Sequence, residues 1–323
     1  MVWSNQTGIK EFNLLGFSNL RQLQIILFVV FFLIYVVTLM GNSVIILITK
    51  IDTALHSPMY FFLQNLAFAE VGFVTLIVPK MLVNLLVEKK TISWSGCRAQ
   101  IFGVVYFVTM ECFLFIAMAY DRFVAICNPL RYTVIMNRKF CMFLVIAVWT
   151  SGFPVGTLQV TWLFSFPFCG SLIVPHFFCD GPPILHLVCG NTSNFELYSL
   201  IGTLLIILCP FLLLLVSYTH IINTIFKMPS AEGRWKAFST CSSHIIVATL
   251  FYGSTSLTHF QPKSSYSPGT RQLLSLSYTV LTPMLNPLIY SLRNKEMKAA
   301  LNRLLSWKIK CIGMSKSFQI SKL

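Results

Sequence analysis

An acidic and a basic side chain, Asp121 and Arg122, stand together near the end of a long apolar run that closes Met118-Ala119-Tyr120-Asp121-Arg122-Phe123-Val124-Ala125-Ile126-Cys127. Charges inside lipid are expensive and face a bundle interior or a partner. A carboxylate–guanidinium pair where a membrane-length helix leaves the bilayer is therefore suited to switching: Arg122 stays on Asp121, or it is released to another partner. Glu70 and Glu111 are the only carboxylates deep inside apolar runs. Glu111 precedes Arg122 by eleven residues, close to three helical turns, which places both on one side of a helix. Asn42 and Asn286 lie at comparable depth in other runs. The four groups Asn42, Glu70, Glu111 and Asn286 read either as a cluster that holds a cation or shares a proton, or as a structural hydrogen-bond network. The last run carries Pro283-Met284-Leu285-Asn286-Pro287-Leu288-Ile289-Tyr290. Two prolines four residues apart remove backbone donors; Asn286 can bond the freed carbonyls, and Tyr290 lies one turn below on the same face. Such a re-bondable segment suits conformational change, with a static kink as the alternative.

The elements that must position these residues are long and apolar. The 323-residue chain is 56% hydrophobic and 11% charged, with 29 Phe, whereas soluble domains carry about 25% charged residues. Seven stretches, about 25–49, 59–86, 100–126, 141–164, 197–226, 237–260 and 272–292, each reach the roughly 20 residues needed to span a bilayer as a helix. The expected fold is an all-α integral membrane protein: an outer segment 1–24, a seven-transmembrane helix bundle 25–292, and an inner tail 293–323. That tail opens with a short amphipathic helix, in which Met297, Leu301, Leu304 and Leu305 form an apolar stripe fit to lie on the inner leaflet. The net charge of +14 is spread along the chain, without the basic arm a nucleic-acid binder would carry, and reads as a topology signal. With the N-terminus extracellular and the C-terminus cytoplasmic, most of the 24 Lys and Arg fall on the inner side, as the positive-inside rule requires. No cleavable signal peptide is evident in the first 24 residues. Asn5-Gln6-Thr7 is a glycosylation acceptor on the outer side under that topology.

Of ten cysteines, Cys97, Cys169, Cys179 and Cys189 fall outside, where disulfides persist. Four cysteines allow three connectivities, and sequence does not choose among them. The others read as free thiols, and no Cys/His spacing suggests zinc. The connection from about 165 to 195 is long for a loop; with four prolines and three of the outer cysteines it reads as a tethered cap over the bundle mouth.

In order along the chain, the motifs Gly41-Asn42, Leu55-His56-Ser57-Pro58-Met59-Tyr60-Phe61-Phe62-Leu63, Met118 to Cys127 with Asn128-Pro129-Leu130-Arg131-Tyr132, Ser217-Tyr218, Lys236-Ala237-Phe238-Ser239-Thr240-Cys241-Ser242-Ser243-His244 and Pro283 to Asn294 resemble those of odorant (olfactory) receptors, of the rhodopsin-like class of G-protein-coupled receptors. The resemblance spans nearly the whole chain. It implies a plasma-membrane receptor, not an enzyme, that binds a small volatile odorant in the outer half of the bundle and activates a stimulatory G protein, raising cyclic AMP. It implies disulfides Cys97–Cys179 and Cys169–Cys189. It implies an activation switch in which Arg122 and Tyr218 rearrange while Lys236 to His244 move with the sixth helix. It sets Glu70 and Glu111 where related receptors place sodium-site acids, so a bound sodium ion is the one cofactor implied. Phe123 replaces the usual Tyr after the Asp-Arg pair, Ala67 stands where Ser is commoner, and Trp235 takes a usually polar or basic place.

By the same resemblance the pocket walls are Val104, Val105, Val108, Thr109 and Cys112 on the third helix and Gly202, Thr203 and Ile206 on the fifth. Tyr252, Thr255 and His259 on the sixth and Thr279 on the seventh complete them. The set is mainly apolar with a few hydroxyls, as small-molecule sites are. Val104 replaces the acid of amine receptors, which disfavours a cationic amine; His259 is either a polar anchor or simply solvated. A transporter would show internal repeats and paired broken helices, and none is seen. A membrane enzyme would show a nucleophile–base pair, phosphate loop or metal set, and the sequence displays none.

Overall fold

The structure is a computed structural model that describes residues 10–259, 268–304 and 306. Asn5 and the tail beyond 306 lie outside the described residues, as do the side chains of Lys236 and His259. The long helices are α1 (Gln24–Ile51), α2 (Pro58–Leu86), α3 (Trp94–Cys127), α4 (Arg138–Leu163), α5 (Ser193–Phe226) and α6 (Ala231–His259). Next comes α7 in three contiguous pieces, Pro268–Leu276, Ser277–Leu281 and Thr282–Arg293, and then α8 over 295–304. Five of them, α1 to α5, are long and apolar enough to cross a membrane by length and composition.

Burial sorts the helices. On α3, Met110, Cys112, Leu114, Phe115 and Met118 are wholly buried, so it is the central post, whereas α1 exposes Ile25, Ile26 and Leu33. Glycines let neighbours approach: a Cβ on Gly152 of α4 would stand 2.7 Å from the Tyr106 carbonyl oxygen of α3, and one on Gly41 of α1 would stand 2.9 Å from Pro287 of α7. The start of α3 six residues ahead of the apolar run has a local cause, since Ser93 accepts from the Gly96 N–H (3.1 Å) and caps the helix above the lipid-facing stretch.

Among the described residues, two helices contain π turns. The Cys209 N–H reaches the Leu204 carbonyl in α5, and the Thr282 N–H reaches the Ser277 carbonyl in α7, five residues back in each case. Both turns run directly into a proline, Pro210 or Pro283, whose missing N–H breaks the regular ladder. The Thr282 hydroxyl also donates to the Ser277 carbonyl at 2.9 Å.

At the end of the bundle where α1 begins, three strands form a small sheet in the order β2–β1–β3, from β1 (Glu11–Leu14), β2 (Thr91–Ser93) and β3 (Ile173–Val174). β1 pairs antiparallel with β2 (Phe12 opposite Ile92) and parallel with β3 (Leu14 opposite Val174). Phe12, fully buried, stacks on Trp94 and meets Phe168 edge-on. Disulfides join Cys97 to Cys179 and Cys169 to Cys189.

At the other end, the apolar stripe of α8 turns into the bundle more than towards a leaflet. Met297 and Ala300 are each 1% exposed, while Leu301 and Leu304 pack against the same core. Three contacts hold it there. Asn294 Oδ1 accepts from the Glu296 and Met297 N–H groups, the Tyr60 phenol donates to Glu296 (2.8 Å), and Arg303 donates to Asp52 at 2.9 and 2.7 Å. The Arg303 hydrogen bond holds the Asp52 carboxyl below its ordinary value.

Candidate functional site

Three groups of predicted residues come together at different depths. At the inner end, Arg122 Nε donates to Asp121 Oδ2 at 2.9 Å, and Asp121 is wholly buried. The other carboxylate oxygen accepts from the phenol of Tyr132 at 2.8 Å, a contact the sequence reading did not foresee. Tyr132 opens a single helical turn, Tyr132–Ile135, after α3; burial pushes its phenol up, so it stays a donor. Tyr218 of α5 and His244 of α6, 4% and 0% exposed, share a hydrogen bond between the hydroxyl and Nδ1. Arg122 is thus engaged with Asp121, and Tyr218 with His244.

Midway, Asn286 Nδ2 donates to Glu70, and Asn42 Nδ2 donates to the Thr38 and Pro283 carbonyls at 3.1 and 3.3 Å. Asn42, Glu70, Glu111 and Asn286 are all at most 2% exposed. Glu111 Oε1 and Asn286 Oδ1 have no hydrogen-bond partner among the described residues, nor has the Tyr290 hydroxyl. Buried acceptors without donors are costly, and this oxygen set fits a bound cation or a shared proton. No three His, Cys, Asp or Glu side chains converge as a metal site among the described residues.

Near the outer end lies a cavity of about 270 Å³, at the lower edge of the roughly 300–1,000 Å³ usual for ligand pockets. Of the predicted wall residues, Val104, Val105, Val108 and Thr109 from α3 and Gly202, Thr203 and Ile206 from α5 line it. The other lining residues come from places the sequence reading did not name: Val155 and Gln159 on α4, the loop stretch Asp180–Pro182 with Leu185, and the outer turns of α5. The double proline after Gly181, between two disulfide cysteines, was the available sign that this loop would be held rigidly enough to form a wall. The π turn at Leu204–Leu208 lies just past Thr203 and carries Ile206 and Ile207, which both reach the cavity.

Cys112, Tyr252, Thr255 and Thr279 are wholly buried and lie outside that lining. The Tyr252 phenol donates to the Cys112 carbonyl at 2.8 Å and so joins α6 to α3. Thr255 and Thr279 hydroxyls turn back to the carbonyls of Phe251 and Ser275 in their own helices, both at 2.7 Å. Below Tyr252, Phe115 packs on Phe251, Tyr252 and His244, with ring centroids 5.2, 6.0 and 5.7 Å apart. A set of contacts therefore leads from Cys112, one helical turn from the cavity-wall residue Thr109, through Tyr252, Phe115 and His244 to Tyr218.

The described architecture is similar to the crystal structure of squid rhodopsin, with a TM-score of 0.69 over 90% of this chain and 87% of that one; at 17% identity the likeness concerns the fold alone. Sequence comparison goes further. Human olfactory receptor 10A5 is 58% identical over 304 residues, 94% of this chain and 96% of that protein. Human olfactory receptor 10A3 is 56% identical over 312 residues, 97% and 99% of the two chains. The profile of the olfactory receptor family matches residues 31–308, from within α1 to beyond α8. A multi-pass, rhodopsin-like helical bundle with these relatives over nearly its full length belongs to the olfactory receptor family.

Proposed function

We propose that the α3–α4–α5 cavity is where this olfactory receptor takes its odorant, and that occupancy is relayed to Arg122 to admit a stimulatory G protein, raising cyclic AMP. The observation that carries the reading is the set of contacts from Cys112, one turn from the cavity wall, to the His244–Tyr218 pair. Thr109 forms a wall of the cavity, and the Tyr252–Cys112 hydrogen bond lies one turn below it. The ring stack on Phe115 ends on the His244–Tyr218 pair. In this reading the Arg122–Asp121 pair marks the closed arrangement of the inner end. A ligand shifts this equilibrium only by its differential affinity for the open arrangement, and coupling of about 1–3 kcal/mol is typical between such sites. Nine of the nineteen residues in the cavity wall are Val, Ile, Leu or Phe, beside four hydroxyl-bearing residues, Gln159, Asp180 and Glu196; the apolar stretches favour a small, largely apolar, volatile molecule with one hydrogen-bonding group.

In the same reading the N-terminus is extracellular with Asn5 glycosylated, and the C-terminus is cytoplasmic, as the distribution of Lys and Arg supports. The orphaned oxygens of Glu111 and Asn286 hold a sodium ion or a proton with Glu70 and stabilise the closed arrangement. Lys236 and His244 move outward with α6, and the segment around Asn286, Pro287 and Tyr290 adjusts with them.

The test is a panel of volatile compounds against cells bearing a cyclic AMP reporter. An active compound should lose its effect in Arg122→Ala at unchanged surface level, and Val108→Phe or Thr109→Leu should shift its potency tenfold or more. A full response from Arg122→Ala would overturn the relay; potency unmoved by either cavity substitution would overturn the assignment of the cavity.

A further inference from the structure

The cavity is off-axis. Its lining comes from α3, α4, α5 and the outer loop, and none of it from α1, α2, α6 or α7 among the described residues. Between α7 and Phe17 lies instead a buried plug of His176, Phe177 and Phe178, at 0%, 2% and 0% exposure. That plug is fastened on two sides. The Cys179 N–H donates to Gln100 Oε1 (3.0 Å) beside the Cys97–Cys179 disulfide, while Ser275 and Gln272 of α7 bond His176 and the Pro175 carbonyl at 3.1 and 3.3 Å. The sheet built on β1 covers the loop from above.

The exposed lining residues are Pro182 in the outer loop and Leu200 on α5, with Leu185 and Glu196 half-buried. Gln159 on α4 and Tyr198 and Ser199 on α5, also half-buried, flank the gap between these two helices. Its depth is marked by Trp162, whose ring lies 5.3 Å from Tyr198 and 5.7 Å from Phe195. Trp and Tyr collect where the bilayer meets water. Gln159 lies one turn inward of Trp162 on α4, and Thr203 just over one turn inward of Tyr198 on α5. Across the gap Gln159 Nε2 donates to Ser199 Oγ at 3.5 Å, the long limit of a hydrogen bond. A Cβ on Gly202, one turn below Ser199, would meet nothing within 4 Å.

We propose that the gap between α4 and α5, spanned by Gln159 and Ser199 just inside the Trp162–Tyr198 aromatic pair, is a side portal through which a small apolar ligand already dissolved in the outer leaflet enters the cavity. The fastened plug turns the aqueous route away from the bundle axis. A weak amide–hydroxyl tie opens at small cost, and an uncharged molecule that partitions into acyl chains reaches the mouth at a concentration far above that in water. The inference rests on the cavity being the ligand site, and it adds a chemical filter: charged compounds are excluded by the route before the walls select among the rest.

The test needs no odorant. Full-length receptor carrying Thr203→Cys, in a Cys209→Ser background, is placed in phosphatidylcholine nanodiscs and treated with octyl methanethiosulfonate or with its trimethylammonium-ethyl counterpart. Labelling is read on the α5 peptide. Asn194→Cys serves as the water-exposed control and Leu213→Cys as the lipid-exposed one. Relative to these controls, the octyl reagent should modify Thr203→Cys at least tenfold faster than the cationic one, and Gln159→Trp should slow the octyl reaction tenfold or more. Gly202→Cys, whose side chain has free space, repeats the measurement should Thr203→Cys fold poorly. Equal rates for the two reagents would overturn the portal in favour of an aqueous entrance. Absence of octyl labelling, with the thiol reactive after denaturation, would overturn it too, as would indifference to Gln159→Trp. Each of these results leaves the ligand assignment to be judged by the odorant panel.

Discussion

Tyr252→Phe removes one oxygen atom from the contact that couples the outer cavity to the inner end. The ring has its own reasons to stay: it packs against Phe211, Phe251 and Phe115 with centroids 5.4, 5.4 and 6.0 Å away, and the residue is wholly buried. The phenylalanine fills the same place less one hydroxyl, so packing changes little. What is lost is the 2.8 Å hydrogen bond to the Cys112 carbonyl. That carbonyl belongs to the middle of α3 and keeps its helical acceptor role, so no buried orphan is created. A hydrogen bond of this sort contributes about 1 kcal/mol net. If α6 must leave α3 for the inner end to open, the bond exists only in the closed arrangement, and its loss shifts the equilibrium by about fivefold towards opening. Basal cyclic AMP, normalised to surface receptor, should rise up to fivefold. The half-maximal concentration of any agonist from the panel should fall by a comparable factor. Unchanged basal signal and potency at equal surface level would show that the bond is equally present in both arrangements, and the relay through Tyr252 would then be refuted.

Other substitutions probe the scaffold around that relay. Gly152→Ala sets a methyl 2.7 Å from the Tyr106 carbonyl oxygen, a backbone atom that cannot step aside; a cost of about 1–3 kcal/mol should appear as reduced surface expression and a lower melting temperature of the purified receptor, whereas Gly202→Ala, with open space, should leave both unchanged. Gly202→Leu should keep the fold and narrow tuning, so that the longest active compounds of the panel fail first. Removing Cys97–Cys179 frees a loop with a separation of 82 residues, against 20 for Cys169–Cys189. In the chain-entropy picture these losses are about 4.5 and about 3 kcal/mol, so a Cys97→Ser, Cys179→Ser receptor should lose surface expression more completely than Cys169→Ser, Cys189→Ser, as measured by surface immunolabelling.

Much of this molecule was legible because lipid imposes simple rules. An apolar run of bilayer length has to be a helix, and a carboxylate or amide inside it has to find a partner. That Glu70 and Asn286 could share a buried cluster follows from cost alone, and the structure brings them into contact; of the two states left open for Arg122, the structure shows the one paired with Asp121. What was not legible depends on direction. Tyr252 and Thr279 have the composition of pocket walls, but whether a hydroxyl points at a ligand or at a carbonyl is set by helix rotation, which a sequence of nearly uniform hydrophobicity does not specify. The same holds for Val155 and Gln159, ordinary residues on α4 until the outer loop closes over them. β1 is four residues long, and its alternation of exposed Glu11 and Asn13 with buried Phe12 and Leu14 gains meaning only once β2 and β3 flank it.

The two π turns show where local sequence and function converge. Each stands directly before a proline, and each accommodates a backbone donor that proline cannot supply. In α5 the extra residue in the turn leads into Ile206 and Ile207 on the cavity wall and, further along the helix, to Tyr218 on the core side facing His244. In α7 it sits one turn above the segment that carries Asn286 to Glu70. A π turn can revert to regular α geometry by releasing one residue of register, which rotates everything beyond it about the helix axis. On α5 such a rotation would move the cavity wall relative to Tyr218. On α7 it would move Asn286 relative to Glu70. These prolines thus place joints between each site and the inner end, and under the proposed switch a packed core with only discrete arrangements would turn a small shift at such a joint into an exchange of partners at Arg122.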